Sequence, residues 1–122
     1  MANVFTRPSD STSQTVINVD TAFTLDKADC PCVVHNLGAT GTIEVELPQD
    51  AKVGTTVQAI VTAAQILRFN TTGGAFYING AAQTDGKYIG VPAVINSGIL
   101  MVCIGNDDWI TVNEVGTVLV EA

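Results

Sequence analysis

Positive charge is scarce in this 122-residue chain, in which five Lys plus Arg face twelve Asp plus Glu for a formal net charge of -7. Nucleic-acid binding driven by phosphate contacts needs a concentrated basic surface, and this balance excludes it. Charge of either sign is sparse, at 14% of residues, where a soluble domain carries about 25%. Histidine occurs once, as His35, so any triad or dyad with a histidine base must pass through it. Long apolar runs are missing too. The longest unbroken one covers 99–104, against the roughly 20 residues of a membrane-crossing helix, and no membrane partner is expected. The cysteines, Cys30, Cys32 and Cys103, are odd in number, and a bridge across the single Pro31 would be strained. Free thiols are expected, in keeping with synthesis in a reducing cytoplasm. Residues 1–8 offer neither the basic start nor the apolar stretch of a secretory leader.

What the chain has in quantity is apolar side chain, 47% of residues. That is too much for a disordered polymer, and the length suits one compact domain. So little charge on so apolar a chain leaves a surface poorly protected against association, which favours a subunit of an assembly over a free enzyme. Residues 1–14 differ from the rest. Pro8, Ser9, Asp10, Ser11, Thr12 and Ser13 dominate a polar stretch whose large apolar groups are Val4 and Phe5, and it reads as an extended arm.

From Thr15 onward the pattern has a period of two. Ile43, Val45 and Leu47 alternate with Thr42, Glu44 and Glu46, the signature of a strand with one face on a core. Ile17, Val19, Phe23 and Leu25 share a parity, and Cys32-Val33-Val34-His35-Asn36-Leu37 forms another run before Gly38-Ala39-Thr40-Gly41. Further strands are expected over 56–62, 66–70, 75–78, 87–91, 99–104, 109–113 and 117–120, separated by turn signals such as Thr72-Gly73-Gly74, Asn79-Gly80, Asp85-Gly86, Ser97-Gly98 and Gly105-Asn106-Asp107-Asp108. Val57, Ile60, Val61, Ala64 and Leu67 also fit one face of a helix. The β-branched Thr55, Thr56, Val57, Ile60, Val61, Thr62 and Ile66 and the missing N-cap box decide for two strands. The expected fold is all-β, a single antiparallel β-sandwich or small barrel, jelly-roll-like, with the arm at 1–14, the sandwich at 15–116 and a C-terminal strand or tail at 117–122. No fixed internal repeat suggests a solenoid.

Candidate chemistry is thin. Cys30 or Cys32 with His35 would give a Cys-His pair or three ligands of a four-ligand zinc site, but the cysteine gap is shorter than zinc sites use and Cys103 sits in the most apolar strand. Small buried thiols beside a structural histidine account for the same residues. Glu44 and Glu46 lie about 7 Å apart along a strand, a spacing compatible with glycoside hydrolysis. Alternation puts both on the water side, where nothing raises a pKa. Asp107 and Asp108 precede Trp109 in a turn, where Asp serves the local backbone. The glycines lack the context of a phosphate loop. Arg68, Phe69, Tyr77 and Tyr88 resemble a base-stacking platform only in composition and read as core aromatics with a surface arginine. No catalytic residue, cofactor or metal is expected.

The second half carries a pattern of its own. Leu47-Pro48, then Val53-Gly54-Thr55-Thr56-Val57 and Val61-Thr62-Ala63-Ala64-Gln65-Ile66-Leu67, are followed by the Gly-rich 72–80 and a closing hairpin over 99–112 that contains Trp109. This order is similar to a small β module of virion proteins of tailed bacteriophages, over about residues 15 to 116. The resemblance implies a structural role, most like a capsid decoration (cement) or head-fibre protein. It implies a homotrimer, made in the host cytoplasm, that sits on the outer capsid surface and clamps the major capsid protein. The partner-binding residues would be Val4 and Phe5 of the arm and Val118, Leu119 and Val120 at the other end. The alternative is a tail- or head-fibre host-attachment module that stacks carbohydrate on Trp109, Tyr77 or Tyr88.

Overall fold

Alternating burial of successive side chains marks six of the twelve strands among the described residues. A computed structural model describes residues 14–121; the arm before Gln14, with Val4 and Phe5, lies outside the described residues. In chain order the strands are β1 (Thr15–Asn18), β2 (Phe23–Thr24), β3 (Cys32–His35), β4 (Ile43–Glu46), β5 (Thr56–Ile60) and β6 (Leu67–Asn70). They continue with β7 (Phe76–Ile78), β8 (Ala81–Ala82), β9 (Ile89–Val91), β10 (Gly98–Gly105), β11 (Asp108–Val115) and β12 (Leu119–Val120). A 3-10 turn over Lys27–Asp29 is closed by a capping box, in which Asp26 accepts from the Ala28 N–H and Asp29 accepts from the Asp26 N–H. The all-β sandwich expected from the sequence is present, as a seven-stranded sheet in the order β1-β3-β5-β10-β11-β7-β8 facing a five-stranded sheet in the order β12-β9-β6-β4-β2.

Strand direction departs from the expectation. Antiparallel pairing throughout is what turn-rich sequence suggests, yet both sheets are mixed. The first six strands alternate between sheets, so β1, β3 and β5 collect in one and β2, β4 and β6 in the other. A chain that visits the opposite sheet before returning comes back in the same direction, and these neighbours are therefore parallel. Parallel strands need a long crossover, and here it is a strand of the facing sheet instead of a helix. The first half is thus a flattened coil, wound without any repeat in the sequence. Antiparallel pairs appear later, at β5–β10, β10–β11, β7–β8, β6–β9 and β9–β12.

The segment that could have been a helix resolves as strands of different sheets: Val57 and Ala59 point inward from β5, Leu67 and Phe69 from β6. Between the sheets lies the core, whose largest buried side chains are Trp109, Phe69 and Phe76 with Leu25, Leu47, Leu67, Ile89 and Met101. Each such side chain contributes about 1.5–3 kcal/mol through burial. Two glycines permit close approach of the backbone. A Cβ on Gly74 would collide with the Asp107 carbonyl, and one on Gly98 would stand 2.7 Å from the Ala59 carbonyl oxygen. At the C-terminal end β12 joins the five-stranded sheet beside β9.

Candidate functional site

The two outer faces of the sandwich differ in kind. On the five-stranded sheet Glu44 and Glu46 project outward from β4, as alternation requires. Glu44 meets Arg68 at 3.2 Å, Arg68 lies over the Tyr88 ring at 4.2 Å, and Thr72 donates to Glu46 at 2.6 Å. This is a solvated polar face, where an exposed ion pair contributes about 0–1 kcal/mol.

Across the seven-stranded sheet the register aligns a different set. One outward row runs Val16, Val33, Gln58, Leu100, Val112. A second holds Asn18, His35, Ile60, Gly98 and Val115, and a third Thr56, Val102, Ile110, Tyr77 and Ala82. None of these side chains is an Asp, Glu, Lys or Arg. Leu100, Val102, Ile110 and Val112 are half-buried by one another, while Ile104 and Val115 at the margins are 43% and 60% exposed. A shallow groove of about 490 Å³ lies on this face, lined by Ile60, Leu100 and Val115 together with Gln58, Asn96 and Asn113. Such a contiguous uncharged aliphatic surface is the kind that takes a macromolecular partner.

The sequence carries a signal for it. β10 and β11 are apolar on both parities: Ile99, Met101, Cys103 and Trp109 fill the core, while Leu100, Val102, Ile110 and Val112 face out. Loss of alternation in a strand marks a second face that wants cover. Reading the run 99–104 only for its core content misses that.

The sequence-derived candidates fall as follows. Val118 packs against the core, Leu119 lies over Gly90, and Val120 is the exposed member of the three, at 55%. Trp109 has no exposed surface, which removes it as a sugar-stacking residue; its place opposite Cys103 in the hairpin turns the ring into the core. His35 faces outward on β3, where Nδ1 lies 3.2 Å from the Thr62 hydroxyl, while Cys32 on the same strand faces the core, so the strand holds the two apart. Asp107 accepts from the Asp50 N–H and Asp108 from the Ala75 N–H, so both serve backbone, but of distant segments and not of their own turn as the sequence suggests. A cleft of about 440 Å³ beside β2 and β4 includes Asp26, Glu46 and Asp50, but among the described residues no group of three or more His, Cys, Asp or Glu is placed to hold a metal ion. All three cysteines are free thiols, with Cys103 donating to the Ala51 carbonyl. No family model matches the chain, and no curated protein is similar enough to count as a relative.

Proposed function

We propose that the chain is a structural virion subunit, a capsid decoration (cement) protein that forms a homotrimer and binds the major capsid protein on the outer surface of a tailed-phage head. The observation that supports this reading best is the uncharged aliphatic outer face of the seven-stranded sheet on a chain of net charge -7. Copies that repel one another elsewhere meet there without apposed like charge, and three such faces gathered about a common axis exclude water from Leu100, Val102, Ile110 and Val112. The charged five-stranded face then stays in solvent.

The ends of the chain are left to hold the shell. The arm with Val4 and Phe5 adds to capsid strands, and Val120 contributes apolar contact at the other end. Each contact is modest, and occupancy comes from several sites engaged at once. The work is mechanical, and no step of chemistry is assigned to any residue.

Sedimentation equilibrium of the purified protein, followed by binding to expanded undecorated heads, tests the reading. A trimer is expected, with Leu100→Asp and Val112→Asp shifting it to monomer at unchanged far-UV circular dichroism and lowering head occupancy. Deleting residues 2–12 should leave the trimer and reduce occupancy. A monomeric wild-type protein that ignores the heads overturns the proposal.

A further inference from the structure

Cys30 and Cys32 bring two soft ligands together at the start of β3. Their sulfurs lie 3.9 Å apart, with Cys30 half-buried at the end of the 3-10 turn and Cys32 fully buried behind it. We propose that this pair is a two-coordinate site for a soft monovalent cation, Cu(I), held between the two sulfurs.

Both cysteines are free thiols, and a disulfide, with its sulfurs at about 2.05 Å, would be strained across the single Pro31. Zinc takes four ligands in a structural site, and among the described residues no third His, Cys, Asp or Glu joins the pair in a metal-binding group. With metal–sulfur bonds of about 2.3 Å, the zinc–thiolate length, an ion bridging two sulfurs sets them about 3.8 Å apart at a tetrahedral angle and about 4.6 Å apart in a line. The observed 3.9 Å falls between these limits, within reach of a small rotation of the half-buried Cys30. Thiolate ligands select Cu(I) among the metals that tolerate so few donors.

Asp26 and Asp29 stand beside Cys30, and the Asp26 carbonyl oxygen is 3.9 Å from its sulfur. Both carboxylates remain tied to backbone N–H groups of the turn and are not placed as ligands. Cys30 is half-buried and Cys32 fully buried, so Cys30 is the sulfur that meets an incoming ion first. Binding breaks two S–H bonds and forms two S–Cu bonds. Both protons pass to water, copper stays Cu(I), and no electron is transferred.

The full chain, kept reduced and anaerobic, is titrated against the coloured Cu(I)–bicinchoninate complex. One equivalent of Cu(I) should be withdrawn per chain. Cys30→Ser should abolish withdrawal, and Cys103→Ser should leave it intact. Because Cys32 is buried, Cys32→Ser is read beside its thermal melt, and the half-buried Cys30 decides the matter if that variant unfolds. X-ray absorption of the copper-loaded protein should show two sulfur neighbours. Failure to withdraw Cu(I), undiminished withdrawal by Cys30→Ser, loss in Cys103→Ser, or three or more sulfur neighbours would each overturn the assignment.

Discussion

Asn36 does at the scale of one side chain what a turn motif does elsewhere. Fully buried just past β3, it accepts from the N–H groups of Thr62 at 2.8 Å and Ala63 at 3.0 Å and donates to the carbonyls of Ala63 and Gln65. It therefore satisfies the backbone of the bend that carries the chain from β5 toward β6. Asn36→Ala is expected to cost about 2–4 kcal/mol, because several partly buried amides and carbonyls lose their partners at once. Urea unfolding should show this as a lower midpoint at an unchanged slope. Nothing in the sequence marks this role, since Asn36 reads as part of the strand-like run 32–37. Asp107 and Asp108 were legible as turn residues but not in their partners, since Asp107 accepts from a backbone N–H 57 residues away and Asp108 from one 33 residues away. Asn36 likewise acts on a segment 26 residues away, and local pattern does not reach that far.

At the scale of strands, position and facing were legible wherever apolar and polar residues alternate, and β4 is the clearest case. β8 escaped notice because Ala81 and Ala82 carry no alternation to read. Pairing direction was invisible for a different reason: side-chain period is two in parallel and antiparallel strands alike. β10 offers the sharpest contrast between neighbouring positions. Met101 is wholly inside the core, whereas Leu100 next to it faces the outer surface of the seven-stranded sheet. Met101→Ala should destabilise the fold by about 2–5 kcal/mol, and Leu100→Ala by about 1 kcal/mol or less when measured on dilute monomer. Association should follow the opposite order, with Leu100→Ala the more damaging of the two by sedimentation.

For the molecule as a whole, the all-β class follows from the period of two along the chain, and the low charge content from composition. The unequal faces of the sandwich do not, because charge counts have no address. Copies of a chain bearing -7 repel at long range, and association through a neutral face must overcome that repulsion. Raising ionic strength from 0.01 to 0.15 M shortens the screening length from about 30 to about 8 Å, so the oligomer should strengthen with salt. Light scattering across a salt series checks the sign, and weakening by salt would point to an ion-paired interface elsewhere.

The winding of the first six strands also sets an order in time. In residues 15–70 no strand pairs with the next one along the chain; the tight hairpins, β7–β8 and β10–β11, come later, and β5 completes its pairing only against β10. A polypeptide emerging from the ribosome N-terminus first has no early local contact to close, and loop entropy is spent before distant pairing returns it. The β10–β11 hairpin, with the single tryptophan, is the longest pairing between consecutive strands among the described residues, and a strand made early finds its last partner in a segment made late.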